Sequence, residues 1–238
     1  MPRQPIRSVL PDREYGGVTF GKAAAERRPE LARLIGKCLM LWPYVESHMA
    51  LILGQLLGAK DAAAISVFHL LRRSSAQRDA IWAAATFTLN QTDQELLSAI
   101  LLVHKSTEKE RNSLAHGYFG TSTKLPESLL WVDTDAAIAL GLAHKLIKQW
   151  TFQTQKNLID ALYVYNANDI AQIFNEISDL NLIWVDFLTY LQQREHLSRE
   201  LQYRRLCDRS RIAEALIQLR QKNNSSTQPQ SPQPDAGG

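Results

Sequence analysis

The chain has 238 residues, of which 45% are hydrophobic and 21% charged, so it can bury one good-sized core or two small ones, with disorder confined to its ends. Its formal net charge of +3 and pI near 8.9 permit a polyanionic partner without demanding one. A long multidomain array is excluded by length, and an intrinsically disordered chain by composition.

Residues 1–28 mix Pro, Gly and Arg without a sustained period and read as an extended arm, with a short strand at "GGVTF". From Pro29 an apolar stripe of Leu31, Leu34, Cys38, Trp42, Val45, Met49, Ile52 and Leu56 predicts a first long helix ending at Gly58. Pro43 inside it calls for a kink or for two abutting helices. A second helix follows Asp61, and a third starts near Ser74 or Ser75, either of which can cap "AQRDAIWAAATFTL". Ala83, Ala84 and Ala85 let neighbours approach closely, which suits an antiparallel bundle. Thr92 and Glu95 have capping-box spacing and open a fourth helix running to about His116, after which Gly117 is the permissive residue common beyond a helix end.

"GYFG" and "LLWVD" around a polar, proline-bearing segment predict a small β-hairpin. Residues 134–165 are ambiguous between helix and strand, and Asn166 or Asn168 can cap a long helix through Leu191. Between Arg194 and Lys222, eight basic residues alternate with four acids at helical spacing, giving a cationic helical extension that is either a solvated surface helix or a contact for RNA. The tail from 222 to 238 lacks the apolar surface to fold. The expected organisation is thus an arm (1–28), an all-α antiparallel bundle with its hairpin (29–133), a helical C-terminal elaboration (134–221) and a disordered tail (222–238).

The stretch "KERNSLAHGYFG" carries the chemistry. The buried stripe of the fourth helix continues through His104 to Arg111, and a guanidinium cannot shed its proton to escape burial, so it needs a carboxylate, a phosphate or water. Glu46, at the edge of the first helix's stripe, is the candidate carboxylate. Asn112 and His116 are four apart and share a side of the helix, whereas Arg111 and His116 are five apart, about 140° around the axis. They converge on one ligand if the helix end loosens, or if a second copy brings the motif to a shared cleft.

"RNSLAH" resembles the R-x4-6-H motif of the HEPN superfamily of small helical-bundle proteins, in which a polar residue often follows the arginine directly. The resemblance spans roughly residues 30–120 in motif and helix order. It implies a homodimer whose paired motifs form a metal-independent endoribonuclease of toxin or phage-defence type, with Arg111, Asn112 and His116 as its residues. RNA brings its own nucleophile: the 2′-hydroxyl attacks the adjacent phosphorus, His116 moves the proton, Arg111 holds nonbridging oxygens, and Asn112 orients phosphate or ribose, with Glu46 orienting Arg111. Products would be a 2′,3′-cyclic phosphate and a 5′-hydroxyl. The resemblance equally covers noncatalytic members that bind nucleotides or protein partners. An antitoxin or other regulatory partner is a further expectation.

His104 is expected as a core or interface histidine, or a supporting group at the motif. Arg72, Arg73 and Arg78 border a phosphate cleft or a solvated turn. Tyr118, Phe119 and Trp131 stack an unpaired base or pack the inner face of the hairpin. The histidines show no metal-ligand spacing, and no phosphate-loop or dinucleotide motif occurs, so neither metal nor cofactor is expected. Cys38 and Cys207, far apart and outside any CxxC spacing, fit a reducing cytoplasm. No apolar run approaches the roughly eighteen residues of a bilayer span, and the N-terminus lacks the apolar centre of an export signal, so no membrane association is expected.

Overall fold

The computed structural model describes residues 3–10, 16–59, 61–139, 159–193 and 195–226. In chain order the elements are β1 (Gln4–Pro5), α1 (Ile6–Val9), β2 (Val18–Phe20), α2 (Ala23–Arg27), α3 (Pro29–Leu57), α4 (Asp61–Leu70), α5 (Ser74–Thr88), α6 (Gln91–His116), β3 (Tyr118–Ser122), β4 (Leu125–Val132), α7 (Thr134–Ala139), β5 (Tyr163–Tyr165), α8 (Ala167–Gln192), α9 (His196–Cys207) and α10 (Ser210–Ser226). The protein is mostly helical, as expected, but it is not all-α: β3 and β4 lie inside a five-stranded antiparallel sheet of order β1-β5-β4-β3-β2. The arm and the ambiguous segment near 163 supply the outer strands. β2 falls on the strand expected at "GGVTF"; strands this short depend on pairing, β2 with β3, β5 with β4 and β1 with β5.

Two compact units divide the chain, Met1–His48 with Lys105–Leu182, and Met49–His104 with Ile183–Gly238. The helices α3, α6 and α8 each contribute a segment to both. The first unit contains the whole sheet, whose one face buries Leu130, Val132 and Val164 with Ile6, Ala137 and Leu162. In the second unit α4, α5, α9 and α10 accompany the remaining helix segments, and Phe68, Ile81, Leu97, Ile183, Phe187 and Ile212 are fully buried.

Helix ends follow local chemistry. Gly58 sits at φ +61 and ends α3 in a Schellman motif, with Ala59 N–H donating to Gly54 O (3.0 Å) and Gly58 N–H to Gln55 O (3.3 Å). Pro43 does not divide α3; it lies exposed within one continuous helix. The cap of α6 is two residues earlier than the sequence suggested: Asp93 N–H donates to Asn90 Oδ1 (2.9 Å) while Asn90 Nδ2 donates to Asp93 Oδ2 (3.1 Å). A similar pair opens α8: Asp169 N–H donates to Asn166 Oδ1 (3.0 Å) and the Asn166 backbone N–H to Asp169 Oδ2 (2.8 Å). An Asn-x-x-Asp box performs the role expected of Thr92 and Glu95. At α5 the cap residue is Arg73, which makes no side-chain cap bond, and the Ser74 hydroxyl instead accepts from Arg78 (2.7 Å).

The cationic extension forms two helices. In α9 and the turn after it, Arg204 pairs with Glu200 (2.9 Å), Arg199 with Asp93 (2.5 Å) and Arg209 with Asp186 (2.6 Å), and in α10 Arg220 pairs with Glu95 (2.7 Å). Those acids account for much of the charge that suggested RNA contact. Residues 222–226, expected as part of the tail, are the helical end of α10, while the tail beyond Ser226 and the stretch 140–158 lie outside the described residues. Among the described residues no single helix is long and apolar enough to cross a membrane.

Candidate functional site

Arg111 and Glu46 meet, as their places at the edges of two apolar stripes suggested. Arg111 Nη2 lies 3.7 Å from Glu46 Oε1, and its guanidinium covers the indole of Trp42, 4.6 Å from the ring centroid. Trp42 Nε1 donates to the same Glu46 oxygen at 2.9 Å. One carboxylate oxygen thus receives an indole N–H directly and the cation at longer range, while the cation is held mainly by an aromatic face. Trp42 was visible in the sequence only as an apolar residue of the stripe.

The Arg111 side chain retains 20% of its accessible surface, and its Nε is buried without a hydrogen-bond partner. Burial pulls the guanidinium pKa below its usual value, and Glu46 and then Glu108 oppose that shift. The group is a cation with one buried N–H, at Nε, that lacks an acceptor.

His116 is placed differently. The helix α6 does not loosen before it: Gly117 N–H still donates to Ser113 O (3.2 Å), and α6 stays helical through His116. Two residues pin this end to the sheet side: Trp131 Nε1 donates to Ser113 O (2.8 Å), and the Thr134 hydroxyl donates to the carbonyl of His116. The His116 ring is exposed and Asn112 is half-buried. Five helical residues turn the side chain about 140° from Arg111 and carry it about 7.5 Å along the axis. Within one chain the two groups therefore point to different sides, and the expected convergence through a frayed end does not occur.

Gly117 has a role other than the one expected. It is not among the positive-φ glycines; instead a Cβ there would collide with the Trp131 indole, so glycine permits the close approach that ties β4 to α6. Trp131 is buried, at 3% exposure, and is unavailable for stacking a base, while Tyr118 packs against the sheet's apolar cluster and Phe119 is half-buried.

The supporting residues are dispersed. His104, 1% exposed, belongs to the second unit, where Trp184 Nε1 lies 3.3 Å from its Nδ1 and the two rings meet edge to face at 5.9 Å. It is a core histidine with no path to solvent. Arg72 and Arg73 are exposed at the start of α5, and Arg78 reaches back to Ser74.

A buried acid was missed. The buried row of α6 runs Ile100, Val103, Thr107, Glu110, Leu114, so Glu110 occupies the place in the stripe expected for Arg111. Its Oε2 is buried without a hydrogen-bond partner, and burial raises its pKa despite the nearby Arg3 and Lys109 charges, with Glu176 adding to the rise. Its place in the i, i+3, i+4 pattern was readable, but an acid between two basic residues resembles an ordinary solvated turn.

A cavity of about 590 Å³ lies against Arg27, Arg28, the first turn of α3, Pro126, Glu127 and the start of α8, and contains neither Arg111 nor His116. Among the described residues no group of three or more His, Cys, Asp or Glu is arranged to hold a metal ion. Comparison with known proteins adds no relative: no family model matches the chain, and no curated protein or solved structure matches it.

Proposed function

We propose that the protein is a HEPN-like helical protein that cleaves RNA without a metal, in a site completed by two copies of the chain. The observation that carries this reading is the state of Arg111: a half-buried guanidinium with an unpartnered Nε and its nearest carboxylate at 3.7 Å. Such a cation gains most from an anionic ligand that brings two oxygens in a plane, as a phosphodiester does. His116 supplies the proton-transfer group, exposed and at the end of the same helix.

Because one α6 directs these groups to different sides, the Arg111 of one copy acts with the His116 of the other. Met40 and Tyr44, four apart on α3 and 75% and 62% exposed, leave an apolar strip in the same unit that a second copy would cover. In the composite site the 2′-oxygen attacks phosphorus, the imidazole accepts its proton, and the P–O5′ bond breaks as Arg111 neutralises the developing charge on the nonbridging oxygens. Asn112 orients the phosphate or ribose. The leaving oxygen takes up a proton, giving a 2′,3′-cyclic phosphate and a 5′-hydroxyl.

The second reading is a noncatalytic nucleotide-binding or protein-interaction module, favoured by the Trp42–Glu46–Arg111 packing, which gives the arginine a structural role in one chain. The two separate in one experiment: mixed RNA, EDTA and purified protein, compared with His116→Ala and Arg111→Ala. Catalysis predicts a loss of roughly 100-fold or more for His116→Ala with binding retained. Cleavage unchanged in that variant, or absent from the wild type while nucleotide or protein binding persists, sinks the enzymatic reading.

A further inference from the structure

Arg3 lies just before β1 and places its guanidinium over Trp131, 3.8 Å from the ring centroid, and over Tyr163, 4.8 Å away. Two aromatic faces around one guanidinium form a cation–π box. Tyr165, fully buried, meets the Trp131 ring edge to face at 6.5 Å, and the Arg3 charge reaches both it and Glu110, 7% exposed. One Glu110 oxygen is buried without a hydrogen-bond partner.

The next residues of the arm are held as a bound peptide strand is. Gln4 pairs with Val164 and Pro5 with Tyr163 in antiparallel register, Ile6 N–H donates to Leu162 O (3.0 Å), and the Ile6 side chain is fully buried in the sheet's apolar cluster. The cover is nonetheless minimal. The strand β1 has two residues, one of them a proline with no N–H to donate, so the β5 edge is only partly paired.

We propose that the box of Trp131 and Tyr163, with the adjoining edge of β5, is a binding site for an arginine-bearing extended protein segment. It is filled in cis by Arg3-Gln4-Pro5-Ile6 and opens to a partner's segment of the same chemistry when the arm is displaced. Recognition comes from a planar cation between aromatic faces, main-chain pairing along the edge, and an apolar side chain three residues after the arginine. This site is independent of the RNA-cleaving reading.

The test uses the full chain carrying Arg3→Ala or Arg3→Lys and, as probe, a capped peptide with the sequence of residues 3–8, followed by calorimetric titration. Saturable binding should be at least tenfold tighter to Arg3→Ala than to the wild type, whose own arginine competes. A peptide with alanine or lysine at its first position should lose at least tenfold. Methylguanidinium at millimolar concentration should raise the Tm of Arg3→Ala more than methylammonium does at equal ionic strength. No saturable binding, equal binding to both proteins, or indifference to the arginine overturns the proposal.

Discussion

Two carboxylates on α6 are almost equally buried and are treated in opposite ways. Asp93, in the second unit, is surrounded by donors: Asn90 Nδ2 at 3.1 Å, Arg199 Nη2 at 2.5 Å and the hydroxyl of Tyr190. Burial and the hydrogen bond to Asp93 push the Tyr190 pKa up to about 12, so the phenol keeps its proton and donates. Arg199 also covers the Tyr190 ring at 4.7 Å. Glu110, in the first unit, keeps a buried oxygen with no hydrogen bond. A satisfied buried charge fixes structure, whereas an unsatisfied one is a cost that persists where another partner uses it.

Removing the satisfied acid breaks this contrast most directly. Asp93→Ala strips one acceptor from a buried tyrosine, a partly exposed arginine and the α6 cap together. The expected loss is about 3 kcal/mol, or a fall in Tm of roughly 6–12 °C by thermal unfolding. Arg199 retains 40% of its side-chain surface and turns to water once freed, which keeps the loss below that of a fully buried pair. A Tm within 2 °C of wild type would show that the dense network around Asp93 contributes little net stability.

Asn90→Ala divides that loss. It removes the cap and one donor but leaves Tyr190 and Arg199 in place, so about 1 kcal/mol is expected, and hydrogen exchange should quicken only in the first turn of α6. A loss as large as that of Asp93→Ala would move the network's weight from the tertiary contacts to the cap.

The contrast was only partly legible in the sequence. The long helices showed through their periodicity, and the Arg111–Glu46 contact showed because a guanidinium in an apolar stripe must find a carboxylate. The Asn90 box was misread as Thr92 with Glu95 because Asn-x-x-Asp and Thr-x-x-Glu have the same spacing, and spacing alone does not rank them. Of the outer strands, β2 falls on the short strand expected at "GGVTF" and β5 inside the segment left ambiguous, whereas β1 was hidden because two residues hold no period. Arg3 gave no signal at all, since its cage of Trp131 and Tyr163 is assembled from residues more than a hundred positions away. Gly117 was readable as glycine but not for its reason, which depends on where an indole lies.

Glu110→Gln probes the unsatisfied acid, with the smallest effect and the opposite sign. The amide removes a charge that burial disfavours, so at neutral pH the variant should be more stable by somewhat less than about 1 kcal/mol, roughly 1–3 °C in Tm. Its pH dependence carries the stronger test. Because the folded-state pKa is raised above the ordinary carboxylate value of 4.5, folding favours the protonated acid. That contribution is complete below the ordinary value and is lost as pH rises through the folded pKa. The gain of Glu110→Gln over wild type should therefore be small at pH 4, grow as the pH rises, and level off once Glu110 is ionised in the folded state. A gain that instead shrinks with rising pH would mean that the ionised carboxylate is stabilised where it lies, by Arg3 or another cation, and that the two acids of α6 are satisfied alike.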